Sequence, residues 1–433
     1  MPNNKTRRRH RRPVGGWKHI HISGDPYDLG LAHGRALIPE LRRVSQTLPF
    51  LVGEFFKTTM SEYMRRCKHA ITPIVRKKFP DIYREIQGIA DGSKGVVSLD
   101  FLIAWNSFLS MEGTYGSLPN PPLQEEDGSR LPQRCCAFIA TGSATANGEI
   151  VMAHNTHADF INGQLLNIIM TVSPTNGHTF KMQTAAGLVA SSADWFVSEN
   201  GIIGCETTIS STNYEPDFKH GVPYFCRIRN VMQFADTLDE CADMMTKHNA
   251  GDYPCSWLFG NTNTNEILLC ELGLKTVSIQ RTNDGVFYGA NSAMSFELRS
   301  LETTDVEHDD TTTSVGARSA RLDYLLNTKY YGKIDTKNAR QVMSDHYDMM
   351  TQSENISSRC ICKHSETDET TGYKPQGCTD GKVVDAKMAR KMEFWARFGS
   401  SCGRIYKTAN LAPKYKHWKP MLDDFKRTEW IVA

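Results

Sequence analysis

The chain changes character sharply at one place. Up to about residue 112 its apolar residues recur at helical spacing, and from Cys135 onward they fall into short runs punctuated by turn residues. Between the two lies 113–133, rich in Pro, Gly and charge, which reads as an exposed, cleavable linker ending just before Cys135. A block of helices followed by runs of strands restricts the fold to α+β, with helices covering mainly antiparallel sheets.

Within the first part, 17–24 reads as an edge strand. Gly24-Asp25-Pro26-Tyr27 then signals a turn and a helix start, and one helix is predicted from Asp28 to about Leu51, with three more helical stretches between 54 and 112. In the second part strands are predicted at 136–142, 149–155, 165–172, 178–183, 186–190, 194–198, 202–208, 256–261, 266–272, 275–281 and 286–290. Asn147-Gly148 and Thr282-Asn283-Asp284-Gly285 read as hairpin turns. Helices are predicted at about 222–248, 314–329 and 336–346.

Composition excludes several classes. Lys+Arg number 50 against 48 Asp+Glu, so the molecule has no overall field suited to nucleic acid, and no nucleic-acid partner is expected. The basic residues between Lys5 and Arg12 have no apolar residue among them, and 1–16 is expected to be a disordered arm. No run approaches the roughly 18 apolar residues of a membrane span, and the basic start is not followed by the apolar core of a secretory signal, so an intracellular location is expected. The twelve cysteines are too dispersed for a disulfide scaffold. Cys360-x-Cys362-x-His364 with the later Cys378 could supply four zinc ligands. A CxC and one distant cysteine are a weak signal, and no metal or organic cofactor is expected.

The chemistry concentrates where the strands begin. Cys135-Cys136-Ala137-Phe138-Ile139-Ala140-Thr141-Gly142 starts a strand on a thiol, and the returning strand carries His154-Asn155-Thr156 toward it. A thiol needs a base or a depressed pKa to act as a nucleophile. Cleavage between Arg134 and Cys135 would create an α-amine, ordinarily titrating near about 7.7–8.0, on the same residue as the thiol. The thiol itself could drive that cleavage by attacking the preceding carbonyl.

These motifs, with Gly24-Asp25-Pro26-Tyr27-Asp28-Leu29-Gly30, His33-Gly34, Asp194-Trp195-Phe196, Glu206-Thr207-Thr208, Asn291 in Gly289-Ala290-Asn291-Ser292, Arg318, Arg321 and Thr379-Asp380-Gly381-Lys382-Val383 following in order, resemble the N-terminal-nucleophile (Ntn) hydrolases. Within them the chain resembles the phospholipase B-like (lamina ancestor) family and the related penicillin acyltransferase-like cysteine family. The resemblance runs from Trp17 to about Tyr406. It implies a four-layer αββα Ntn-hydrolase fold, with a mostly helical small chain (17–134) and a catalytic large chain (135–433) that stay associated after the cut; a homodimer is also compatible with it. It implies hydrolysis of an amide, or an ester as in lipid degradation, through a thioester on Cys135. The alternatives are an acyltransferase that passes the acyl group to an amine, or a catalytically silent binding protein on the same fold. By the resemblance Cys135 is the nucleophile and Cys136 packs on the opposite face; His154 and Asn155 line the site; the Asn291 amide donates to an oxyanion; and Asp194, Glu206, Thr207, Arg318 and Arg321 contact the substrate. His157 stands where the phospholipase B-like group has Trp, and the Arg and Asp of bile-salt-hydrolase-type relatives are replaced by His154 and His157.

Overall fold

In the computed structural model, residues 15–116 and 134–433 are described. The basic arm, apart from Gly15 and Gly16, and the part of the linker at 117–133 lie outside them. The first linker residues, 113–116, instead complete the helix Phe108–Gly116.

The strands, in chain order, are β1 (Lys18–Gly24), β2 (Cys135–Gly142), β3 (Gly148–Asp159), β4 (Ile168–Pro174), β5 (Phe180–Thr184), β6 (Trp195–Ser198), β7 (Ile202–Thr208) and β8 (Cys255–Asn261). They continue with β9 (Glu266–Leu272), β10 (Val277–Thr282), β11 (Gly285–Gly289), the short pair β12 (Tyr347–Asp348) and β13 (Ser353–Glu354), β14 (Gln376–Asp385), β15 (Trp395–Phe398) and β16 (Ile431–Val432). Eight form one sheet in the order β1-β4-β5-β6-β7-β8-β9-β10, and six form a second in the order β11-β2-β3-β14-β15-β16. Every neighbouring pair in the two sheets is antiparallel except β1 with β4.

The side-chain alternation of the strands sorts the apolar residues into three layers of contact. Ala137, Ile139, Ile150 and Met152 of the six-stranded sheet meet Ile169, Trp195, Val197, Ile203, Cys205 and Leu258 of the other, which makes the core between the sheets. Cys136, Phe138, Ala140, Val151 and Ala153 point the other way and pack under Leu322, Leu326, Val342 and Met343 of the later helices. On the far face of the eight-stranded sheet, Ile168, Met170, Trp257 and Phe259 pack against the helices of residues 26–116 and 224–246. Helix, sheet, sheet and helix layers follow, the αββα arrangement expected.

Three local expectations are corrected. The long first helix is two, Pro26–Ala36 and Ile38–Phe56, because Pro39 sits in the first turn of the second and Leu37 leaves the helical region between them. Residues 186–190 are not a strand. Gly187 has φ +89, its amide donates to His33 Nε2, and Asn106 binds its carbonyl and the Val189 amide, which fixes a tight loop instead. The turn at 282–285 closes no hairpin, because β10 pairs with β9 and β11 with β2, so the chain crosses there from one sheet to the other. Ser143 donates its amide to Asp284 Oδ1 at this crossing, tying it to the end of β2.

The first helix is seated by close backbone approach. Gly30 and Gly34 face Gly88 and Gly92 of the helix Pro80–Gly92, and a Cβ on Gly30 would overlap the Glu85 carbonyl.

Candidate active site

Strand register decides what the cysteine faces. Cys135 is paired with Thr156, Cys136 with Asn155, and Ala137 with His154. Cys135 shares the face of Ala137 and Ile139, toward the other sheet, and Cys136 shares that of Phe138, toward the outer helices. The Cys135 side chain is 1% exposed, and its sulfur lies within 4.8 Å of a carboxylate oxygen of both Asp194 and Glu206.

The backbone on either side of Cys135 is held at each polar atom. The Arg134 carbonyl accepts from the His157 amide. The Cys135 amide donates to Asn291 Oδ1 (3.4 Å), and its carbonyl accepts from Arg318 Nη1 (2.9 Å). Arg318 Nη2 donates to the same Asn291 oxygen (3.0 Å), while Nη1 also reaches Cys136 Sγ (3.2 Å). Asn291 sits at φ +78, a left-handed conformation that Asn tolerates better than most residues. The Arg134 guanidinium is ion-paired with Glu112, which anchors the residue before the cysteine to the helix Phe108–Gly116. Burial pushes Glu112 up to about 7 against the pull of Arg134.

Asp194 and Glu206 are hydrogen-bonded to each other in a buried site, with Tyr224 donating to Asp194 Oδ1 (3.0 Å) and Tyr253 to Glu206 Oε1 (3.0 Å). Burial raises both carboxyls, and the mutual repulsion raises Glu206 further, so the pair holds a proton where ordinary carboxylates would not. Burial, then the charge of Glu206 and of Asp194, drives the Cys135 thiol well above its ordinary value. In the continuous chain the thiol is therefore protonated and sits beside an acceptor of raised basicity.

The other expected residues divide by face. His154 is on the thiol's side, its Nε2 3.0 Å from the Glu206 carbonyl, and burial followed by the charge of Lys382 keeps its ring neutral. Asn155 is on the opposite side, donating to the Met343 (2.7 Å) and Ile361 (3.2 Å) carbonyls, so it does not line the thiol's surroundings. Asn291 is in place, but reversed from the expected role. Its amide NH2 is spent on the Thr208 carbonyl (3.0 Å), and its oxygen, not its nitrogen, faces Cys135. Thr207 lies against Gly289, where a Cβ would overlap its hydroxyl, on the face opposite Glu206. Arg318 grips the cysteine's own backbone. Arg321 makes a bidentate pair with Asp345 (2.9 and 2.7 Å) and lies over Tyr347, away from the thiol.

Sequence reasoning assigned no role to Lys382, fully buried on β14, which pairs with Asp380 (2.7 Å) and donates to Thr156 Oγ1 (2.8 Å) and the Ala193 carbonyl (3.2 Å). It thereby joins the residue paired with Cys135 to the residue preceding Asp194. Its signal was a lysine beside Val383 and Val384, a position where a strand buries its side chains. A narrow cleft lined by Trp105, Phe108, Leu109, Leu188 and Phe225, with Asn106, Asn162, Ser191 and Ser192 among its polar groups, reaches Tyr224, one hydrogen bond from Asp194.

No family model matches the chain. It is 23% identical over 264 residues to an uncharacterized protein of Archaeoglobus fulgidus, a match covering 57% of this chain and 41% of that protein, so it spans well under half of that relative's length. Among solved structures it is similar to a mutant of the conjugated bile acid hydrolase from Clostridium perfringens (TM-score 0.38, 9% identity, 61% of this chain and 89% of that one). It is also similar to a penicillin V acylase from Agrobacterium tumefaciens (TM-score 0.35, 12% identity, 61% and 83%). Superpositions this loose carry no argument about chemistry.

Proposed function

We propose that this protein is a self-processing cysteine amide hydrolase, cut between Arg134 and Cys135, in which Cys135 supplies first the thiol that cleaves the chain and then both nucleophile and α-amine for turnover. The observation that carries this reading is the setting of one peptide bond. Its carbonyl is met by the His157 amide, its nitrogen by Asn291, and the thiol one residue on is buried against a proton-sharing carboxyl pair.

In the first step the Cys135 sulfur bonds to the Arg134 carbonyl carbon, and its proton passes to the Asp194–Glu206 pair. The His157 amide steadies the oxyanion. The carbon–nitrogen bond breaks as the Cys135 nitrogen takes up a proton, leaving a thioester that water hydrolyses to the Arg134 carboxylate and the free thiol. The new amine, held near Asn291 Oδ1, then accepts the thiol proton in each turnover. The small-chain region stays in place after the cut because β1 pairs with β4 and the helices of 26–116 share one apolar cluster with that sheet. The acyl compound is an amide or a phospholipase B-like ester, and the aromatic and leucine side chains of the narrow cleft beside Tyr224 favour an apolar acyl end.

Wild type and Cys135→Ala are to be compared by intact mass and N-terminal sequencing, and the cut protein assayed on matched fatty-acyl anilides and esters, with and without an added amine. Wild type should yield a large fragment beginning at Cys135, and the variant should remain whole. A wild type that stays whole after prolonged incubation overturns the reading.

A further inference from the structure

Beyond the thiol site, three segments distant in sequence bring two histidines and two cysteines together. His346 follows the helix Thr336–Met343, Cys362 and His364 lie on the loop before β14, and Cys402 lies just after β15. One donor atom of each lies within 4.8 Å of all the others. We propose that His346, Cys362, His364 and Cys402 form a tetrahedral zinc site that staples these loops to the six-stranded sheet.

The spacing fits an ion at the centre. With Zn–S of about 2.3 Å and Zn–N of about 2.0–2.1 Å, neighbouring sulfur and nitrogen ligands stand about 3.5 Å apart in a tetrahedron. His364 Nε2 is 3.4 Å from Cys362 Sγ and 3.5 Å from Cys402 Sγ.

The surroundings fit as well. His364 Nδ1 is 2.8 Å from Glu366 Oε1, the carboxylate–histidine arrangement that fixes the tautomer and leaves Nε2 free to ligate. Each sulfur receives a donor, Ser401 Oγ on Cys362 (3.2 Å) and the Arg404 amide on Cys402 (3.4 Å), as metal thiolates commonly do. His346 is half-buried, but its Nε2 atom is buried without a hydrogen-bond partner, a state that a buried ring nitrogen seldom keeps. Cys362 and His364 are buried, whereas His346 and Cys402 are half-buried, which gives an ion a way in from solvent. The proposed set shares only Cys362 and His364 with the four candidates read from sequence. Cys360 Sγ turns to the Ser357 and Cys362 carbonyls, and Cys378 Sγ to Asp380 O and Ser401 Oγ, while His346 and Cys402 take their places.

Residues 344–375 hold only two-residue strands and single 3-10 turns, so little regular backbone pairing fixes this segment. The staple also reaches the back of β3, because the Ile361 carbonyl, next to Cys362, binds Asn155 (3.2 Å) and His157 (3.1 Å). A closed Cys2His2 set with no open position is structural rather than catalytic.

The full chain, purified without chelator under reducing conditions, is to be analysed for metal by mass spectrometry of the element and for free thiols. About one zinc per chain is expected, falling below about a tenth in His346→Gln and Cys402→Ser and unchanged in Cys360→Ser. Co²⁺ added to metal-stripped wild type should give the visible bands and thiolate charge-transfer absorption of a tetrahedral S2N2 site, a readout that needs no variant to fold. Zinc-free wild type that also fails to take up Co²⁺ overturns the proposal, as does a disulfide between Cys362 and Cys402 in a second preparation made without reductant and alkylated at lysis.

Discussion

Replacing Arg318 by lysine isolates what holds the candidate nucleophile in place. The guanidinium spans the Cys135 carbonyl (2.9 Å) and Asn291 Oδ1 (3.0 Å) with two different nitrogens, and its Nε donates to the Ser314 carbonyl (2.9 Å). A lysine keeps the charge but offers donors from a single point, so it cannot bridge all three acceptors. Two charge-assisted hydrogen bonds are then lost, at about 1.5–3 kcal/mol each, while Asn291 Oδ1 keeps the Cys135 amide, so the loss is about 2–5 kcal/mol after allowing for relaxation. Unfolding entropy near 2.1 cal/mol/K per residue gives roughly 0.9 kcal/mol/K for a chain of this size, and so a fall in Tm of about 2–6 °C. Because the lost contacts fix Cys135 itself, displacement by about 1 Å should slow self-cleavage on the order of 10²-fold. Tryptophan fluorescence on heating and a gel time course of freshly translated precursor measure the two effects separately. Arg318→Lys that melts within about 1 °C of wild type and cuts at its rate would refute the reasoning. A lower Tm with normal cutting would reduce Arg318 to a purely structural group.

Two further perturbations test the framework. His33 is buried and held neutral, its pKa lowered to about 3 by burial and then by Arg229, against 6.5 in the unfolded chain. Its contribution is therefore complete above about pH 6.5 and is lost toward pH 3, at up to about 1.4 kcal/mol per pH unit, because only the unfolded chain takes up the proton. Urea midpoints measured from pH 7 to 4 should fall less steeply in His33→Gln than in wild type, His154 and His157 acting alike in both; parallel curves would show that His33 is not the titrating group. Gly30→Ala drives a methyl group into the Glu85 carbonyl between two packed helices and should cost about 1–3 kcal/mol or more, whereas Gly53→Ala, where nothing lies within 4 Å, should not destabilise the chain. Equal denaturation midpoints for these two variants would count against the close helix contact.

What could be read from the sequence follows from which interactions are local. The two-residue period of Cys135–Gly142 and the Asn147-Gly148 turn dictate a hairpin, and with it the facing of Cys135 and Cys136. The reversed Asn291 and the diversion of Arg321 to Asp345 depend on partners 24 to 156 residues away. No period or turn residue encodes these. The 282–285 turn shows the same limit at the level of topology, since its residues specify a reversal but not which strand receives the chain afterwards.

Alternation along β3 also explains how one strand serves two centres. His154 and Thr156 face inward, toward Glu206 and Lys382, while Asn155 and His157 face outward to the Ile361 carbonyl beside the proposed zinc ligands. His157 belongs to both sides at once. Its ring is tied to the loop and its backbone amide meets the Arg134 carbonyl. Loosening the 344–364 loop should therefore be felt at the Arg134–Cys135 bond through one residue, and Cys402→Ser should slow cutting even though Cys402 touches nothing on the thiol's face. His157→Ala, which frees the ring but keeps the amide, should reproduce part of that slowing. Cutting at the wild-type rate in both variants, followed on gels, would show that the two faces of β3 are independent.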